Sequence, residues 1–226
     1  RLNLLKRNTE VFKSIIDPVT SSGFNGIFLV ATNPVDIMTR ITCTLSGFNP
    51  RRVLGTGTAL DTARLRYLLG EYLKVDPRNI HAYVMGEHGD TEFVPWSQAM
   101  VATKSITELC EESHGSICAQ ELEQISEEVR TAAYKIIEAK NATYYGIGMA
   151  LTRITKAILG NEHSVLTVSA MLRGEYGQSG IFTGVPCIIN QNGVQRVLPL
   201  SLSEEESEKL EQSCQILKRS YEELEI

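Results

Sequence analysis

The chain has 226 residues, 42% of them hydrophobic and 22% charged, with a formal net charge of −5. That length supports one large domain or two small ones with a real core. No apolar run is long enough to span a bilayer and no basic cluster is present, which argues against a membrane span and against nucleic acid as a partner.

The chain opens in a helical pattern, with Leu2, Leu5, Phe12, Ile15, Ile16 and Val19 falling roughly on one face. An apolar run ending in Ala31-Thr32-Asn33-Pro34 predicts a strand over 27–32. A helix from about Val35 to Ser46 follows, and then a strand over 52–56 that runs into Gly55-Thr56-Gly57. The spacing predicts a helix over 60–75 and a strand over 81–86. Segment 94–109 is of mixed character, and SHGSICAQ (113–120) reads as a loop or a weak helix end. From about Glu121 to Leu159 the pattern is strongly helical, interrupted near Asn141. Residues 164–199 are strand-rich, with turns at 174–177 and 191–193. Ser203 is placed as the N-cap of a last helix, and the SEEESEK run there is expected to be its solvated start. The five cysteines (Cys43, Cys110, Cys118, Cys187, Cys214) are odd in number and lack metal-ligand spacing, so reduced thiols in a cytoplasmic protein are the expectation and no metal is implied.

Three strand ends carry polar residues. The most informative is HAYVMGEHGDT, residues 81–91, where an apolar run stops at Gly86 and Glu87-His88-Gly89-Asp90 follows. A histidine there titrates near neutral pH and moves a proton; the bland alternative is a turn with an exposed histidine. Ligands in open parallel sheets sit at such carboxyl ends. Asp61 is suited to orient the imidazole, or simply to cap a helix. Arg64, one turn later on the same side, offers a guanidinium fork for a carboxylate, or an ordinary surface ion pair.

Together TNPVD, GTALDTAR and GEHGD resemble the L-lactate dehydrogenase family of the lactate/malate dehydrogenase superfamily, in its order and at its spacing. The resemblance implies an α/β fold: the C-terminal part of a doubly wound Rossmann domain over 1–57, followed by an α+β substrate domain over 58–226. It implies NAD-dependent interconversion of pyruvate and L-lactate. His88 is then the acid/base, Asp61 its orienter and Arg1 the arginine of a mobile loop. Asn33, Arg64 and Thr143 bind substrate, and the Asn33–Pro34 bond is cis. Ser14, Ala31, Thr32, Asn33, Thr56 and Ile147 line the cofactor. Arg66 and His81 match a pair that binds fructose 1,6-bisphosphate in allosteric bacterial members, and Tyr134 falls at a position reported as phosphorylated. A cytoplasmic homotetramer acting on small 2-keto and 2-hydroxy acids is expected.

No G-x-G-x-x-G fingerprint occurs in the sequence. The expectation is therefore a chain lacking roughly ninety residues of the family's amino-terminal part, judged from family length and domain size. Malate or another L-2-hydroxyacid dehydrogenase remains an alternative. So does a catalytically dead oligomerisation partner. The order Val94-Pro95 before Trp96 departs from the family's more frequent Pro-Val-Trp.

Overall fold

The computed structural model describes residues 2–114 and 118–224. In chain order it has helix α1 (Leu2–Ser21), strand β1 (Phe28–Val30), helix α2 (Val35–Ser46), strand β2 (Val53–Gly55) and helix α3 (Ala59–Leu73). Short strands β3 (Ile80–His81), β4 (Met100–Val101) and β5 (Lys104–Ser105) follow, then helices α4 (Ile106–His114), α5 (Cys118–Lys140) and α6 (Tyr145–Leu159). Strands β6 (Ser164–Arg173), β7 (Ser179–Asn190) and β8 (Gly193–Val197) precede the last helix, α7 (Glu204–Glu222). The main sheet has the order β1-β2-β6-β7-β8; β1 and β2 are parallel and the other pairings antiparallel. β3, β4 and β5 form a second, antiparallel sheet.

Local chemistry accounts for most boundaries. α2 stops at Gly47 in the left-handed region (φ 64°). The break at Asn141 is real: α5 ends there and Asn141 has a positive φ of 61°. α7 starts from a full capping box, with Ser203 and Glu206 each bonding the other's backbone N–H. The Asn33–Pro34 peptide is cis.

Three expectations change. On α1, Leu5 and Ile16 are buried but Ile15 is exposed, because a step of about 100° per residue turns it off the buried stripe. The predicted strand 81–86 is divided. Ile80–His81 pairs with β4, Met85 bridges to Phe93, and Gly86 bridges to Gly184 of β7. Between them, side chains replace the ladder: Arg66 Nε donates to the Ala82 carbonyl, and the Thr58 and Thr62 hydroxyls bond the carbonyl and the N–H of Val84. Finally, two of the five cysteines are not thiols. Cys110 and Cys118 are joined by a disulfide where α4 and α5 pack together, with Cα atoms 5.5 Å apart; Cys43, Cys187 and Cys214 are free.

The interior divides into two apolar cores. The larger fills the main sheet, α2, α6 and α7, with Met38, Ile41, Leu54, Val168, Val185 and Leu210 at its centre. The smaller packs α3, α4 and α5 over the short sheet, around Leu65, Leu69, Ile80 and Ile106. The segment carrying His88 runs along their seam. Val84 and Val94 face the smaller core, while Met85 and Phe93 face the larger one, as the two-residue alternation of extended chain requires. Gly86 and Gly184 exchange both backbone hydrogen bonds, at 3.0 and 2.9 Å. A Cβ on Gly184 would lie 2.9 Å from the Gly86 carbonyl oxygen, and Gly86 itself has φ +96°. Close approach and backbone conformation thus call for glycine on both sides of this bridge.

Candidate active site

Three elements deliver their side chains to one point. α3 opens with Thr58 as N-cap, so Asp61 falls in its first turn and Arg64 one turn later. The Met85–Phe93 and Gly86–Gly184 bridges hold the base of the loop that presents His88. His88 Nδ1 lies 2.7 Å from Asp61 Oδ2, and Arg64 Nη1 donates to Asp61 Oδ1 at 3.2 Å. One buried carboxylate therefore holds both the imidazole and the guanidinium. With Nδ1 engaged, Nε2 is the nitrogen left to meet a substrate.

The loop is held from below as well. The His88 backbone N–H donates to Asp36 Oδ2 at 2.9 Å, from the first turn of α2. Ser213 on α7 accepts from the Glu87 N–H at 2.7 Å, and Thr91 donates to the Glu87 carboxylate at 2.7 Å. Further along, Glu206 accepts from the Ser97 N–H at 3.0 Å and from its hydroxyl. Glu206 is buried, so the charge run at the start of α7 is not wholly solvated as expected: one of its acids ties the helix to the loop segment.

This environment sets the charge states. Burial pulls His88 down, but the hydrogen bond and charge of Asp61, followed by the charges of Glu92 and Asp36, outweigh it and lift the imidazole to about 9. Burial also lifts Asp36 to about 6, against the opposing pull of Ser169 and the His88 N–H. Glu92 is lifted to about 8, first by burial and then by Asp61, against the pull of His88, Arg64 and Arg130. Asp61, His88 and Glu92 offer donor atoms within 4.8 Å of one another. Within that set Asp61 and His88 bond each other directly, the pairing of a carboxylate–histidine system.

The other expected site residues lie at several places in the fold. Ala31, Thr32 and Asn33 follow β1, the latter two exposed, and Thr56 follows β2, its N–H donating to the Val30 carbonyl at 2.8 Å. They line the carboxyl ends of the parallel pair, the position at which open α/β sheets bind ligands. Ile147 is half-buried in the first turn of α6. Ser14 is exposed on α1, its hydroxyl turned to the Val11 carbonyl. Thr143 is exposed in the segment before α6. A Cβ on Gly146, three residues on, would lie 3.9 Å from Arg64 Nη2, so this segment passes beside the guanidinium. Among the described residues no hydrogen bond links Ser14, Ala31, Thr32, Asn33 or Ile147 to the His88 cluster. Arg1 lies outside the described residues.

Arg66 and His81 sit apart from this site. Arg66 is half-buried over the Tyr83 ring, and His81 is exposed at the end of β3. Tyr134 is exposed and donates to Asp90 at 3.2 Å. Four contributors escaped the sequence reading: Asp36, Glu92, Ser213 and Glu206. Asp36 was within the TNPVD motif, and that position was its only signal. Ser213 lies 126 residues from the Glu87 it holds, a separation no local pattern spans.

Comparison with known proteins agrees with this geometry. Residues 1–55 match the family model for the NAD binding domain of lactate/malate dehydrogenase, and residues 58–225 match that for its alpha/beta C-terminal domain. L-lactate dehydrogenase 2 of Bacillus anthracis is 52% identical over 220 residues, which is 97% of this chain and 70% of the relative. L-lactate dehydrogenase 1 of the same organism is 51% identical over the same shares. A crystal structure of a lactate dehydrogenase from a Medee basin deep-sea metagenome library superposes with a TM-score of 0.96 at 46% identity, covering all of this chain and 72% of that one. The minor L-lactate dehydrogenase from Enterococcus mundtii, in its ligands-bound form, gives 0.93 at 48% identity, covering 98% and 70%. Strand-end polar residues, a carboxylate-held histidine and these matches lead to one conclusion: the chain belongs to the lactate/malate dehydrogenase family, on its L-lactate dehydrogenase branch.

Proposed function

We propose that this chain interconverts pyruvate and L-lactate with His88 as the acid/base, Asp61 as its orienter and Arg64 as the anchor of the substrate carboxylate. The observation that carries the assignment is the shared carboxylate of Asp61, 2.7 Å from His88 and 3.2 Å from Arg64. The strand ends at 31–33 and 56 fit NAD, which supplies or removes the hydride when bound. Ser14 and Ile147 complete its lining, and Arg1, at the family's spacing from Asn33 and His88, polarises the carbonyl. His88 gives its Nε2 proton to the carbonyl oxygen as the ketone is reduced and recovers it in the reverse direction. Arg64 keeps one nitrogen on Asp61 and offers the rest of its fork to the carboxylate, while Asn33 donates to a substrate oxygen and Thr143 closes the pocket beside it. The chain divides into a nucleotide part over 1–57 and a substrate part over 58–226, and works in the cytoplasm. Among the described residues, no helix is long and apolar enough to cross a membrane.

A pH series tests the proton assignment. Pyruvate reduction needs His88 protonated, so its kcat/KM should stay level through neutral pH and fall about tenfold per unit above about 9. Lactate oxidation needs the neutral imidazole and should rise through the same range. An alkaline limb for pyruvate centred near the ordinary histidine value would contradict the assignment.

A second reading concerns regulation. Arg66 helps line a cleft of about 410 Å³ together with Arg78, Arg153 and Tyr83. Burial lowers the Arg66 pKa, and among the described residues no carboxylate pairs with it, which suits a phosphate ligand. With exposed His81 nearby, and a second such pair supplied across a two-fold axis of a homotetramer, this fits fructose 1,6-bisphosphate. The bisphosphate should lower the pyruvate concentration needed for half-maximal rate. The double change Arg66→Gln, His81→Gln should abolish that response. Superimposable saturation curves for the unaltered protein, with and without the bisphosphate, would make the pair structural.

A further inference from the structure

Glu92 is a buried acid that the mechanism above does not use. It is 8% exposed, and its Oε2 lies 3.8 Å from His88 Nδ1, on the edge already bonded to Asp61. Its place is fixed by backbone: Phe93 pairs with Met85 through two 2.9 Å hydrogen bonds, and the Glu92 N–H donates to the Gly89 carbonyl at 3.3 Å. Among the described residues the Glu92 carboxyl makes no hydrogen bond, and the imidazole at 3.8 Å is its ion-pair neighbour. On its far side Glu92 borders a cleft of about 280 Å³ between α5 and α7, also lined by Trp96, Glu123, Arg130 and Lys209. The carboxyl thus stands between the catalytic histidine and a surface opening.

We propose that Glu92 is a positioning residue for His88, a second carboxyl behind Asp61 that helps the imidazole keep its proton into the alkaline range. The inference rests on His88 being the acid/base. Charged groups face Glu92 from every side: His88 from its own loop, Asp61 and Arg64 from α3, Arg130 and Glu123 from α5, and Lys209 from α7. Arg130 is engaged by Glu127, and Lys209 by Glu205 at 2.6 Å, so both cations are partly spent elsewhere. Burial and the Asp61 anion push Glu92 toward its protonated form, so it adds least charge to the imidazole's surroundings at the lower end of the pH range. As the pH rises it ionises, and an anion then appears beside Nδ1 as the proton of His88 begins to leave. The new charge opposes that loss and extends the pH span over which ketone reduction runs.

The test follows the His88 imidazole directly. Carbon-13-labelled histidine is titrated by NMR in the unaltered protein, Glu92→Gln and Glu92→Asp, with the His88 signal assigned as the one missing from His88→Gln. kcat/KM for pyruvate is measured over the same pH range. In Glu92→Gln the His88 midpoint should fall by about one pH unit, and kcat/KM near the alkaline end should drop roughly tenfold, with a much smaller change at acidic pH. Glu92→Asp keeps a charge but withdraws it, and its midpoint should lie between the two. Should the glutamine variant not fold, the aspartate variant is read alone, and a midpoint equal to that of the unaltered protein overturns the proposal. Coincident midpoints overturn it, as does a loss by the same factor at every pH, which is the mark of a purely structural residue. If His88 of the unaltered protein titrates near neutrality, the failure lies earlier, in the proton assignment itself.

Discussion

Replacing His88 with glutamine is expected to lower pyruvate turnover by two or more orders of magnitude while leaving the fold in place. Removing a positioned general acid typically costs about 10²- to 10⁴-fold. Glutamine preserves what the structure needs from position 88. Its backbone N–H still reaches Asp36, and its amide can donate to Asp61 Oδ2 where Nδ1 did. What it lacks is a proton that can be given up near neutral pH. The measurement is NADH oxidation at saturating pyruvate, with the unfolding midpoint as control. Near-normal turnover in a folded variant would remove His88 from the chemistry.

Arg64→Lys is expected to weaken pyruvate binding by about 1.5–3 kcal/mol, the range for hydrogen bonds to charged groups, or roughly 10- to 150-fold in KM. Lysine keeps the charge but not the planar fork, and it cannot hold Asp61 with one nitrogen while presenting a parallel pair to a carboxylate. NADH affinity should change little, because Arg64 lies on α3 and not at the strand ends 31–33 and 56. Equal losses for cofactor and keto acid would contradict the assignment. Asp61 also loses part of its support, so a modest shift in the His88 titration is expected alongside.

Much of the fold was legible because it follows local rules. The end of α2 near Ser46 and the Ser203 N-cap of α7 each lie within a few residues of their cause. The core of the site was legible too, since Asp61 and Arg64 share one helical turn and His88 stands in a recognisable strand-end motif. The remainder depends on contacts remote in sequence. Nothing near residue 86 shows that Gly184 is its partner. The predicted strand 81–86 is divided for a related reason: the hydroxyls of Thr58 and Thr62 replace the strand neighbours that an apolar run implies. Glu206 misled because a charge run looks solvated from sequence, although one member of it turns inward.

The placement of Val84 and Met85 on opposite cores makes the loop that carries His88 a gauge of whether the two cores are docked. Neither core alone defines where His88 stands. Loosening the smaller one, through Leu65 for example, would leave the large sheet and its spectroscopic signature intact while the imidazole drifts from Asp61. Conditions that open the smaller core alone would therefore silence the protein while the large sheet persists, and inactivation there would report partial opening and not global collapse.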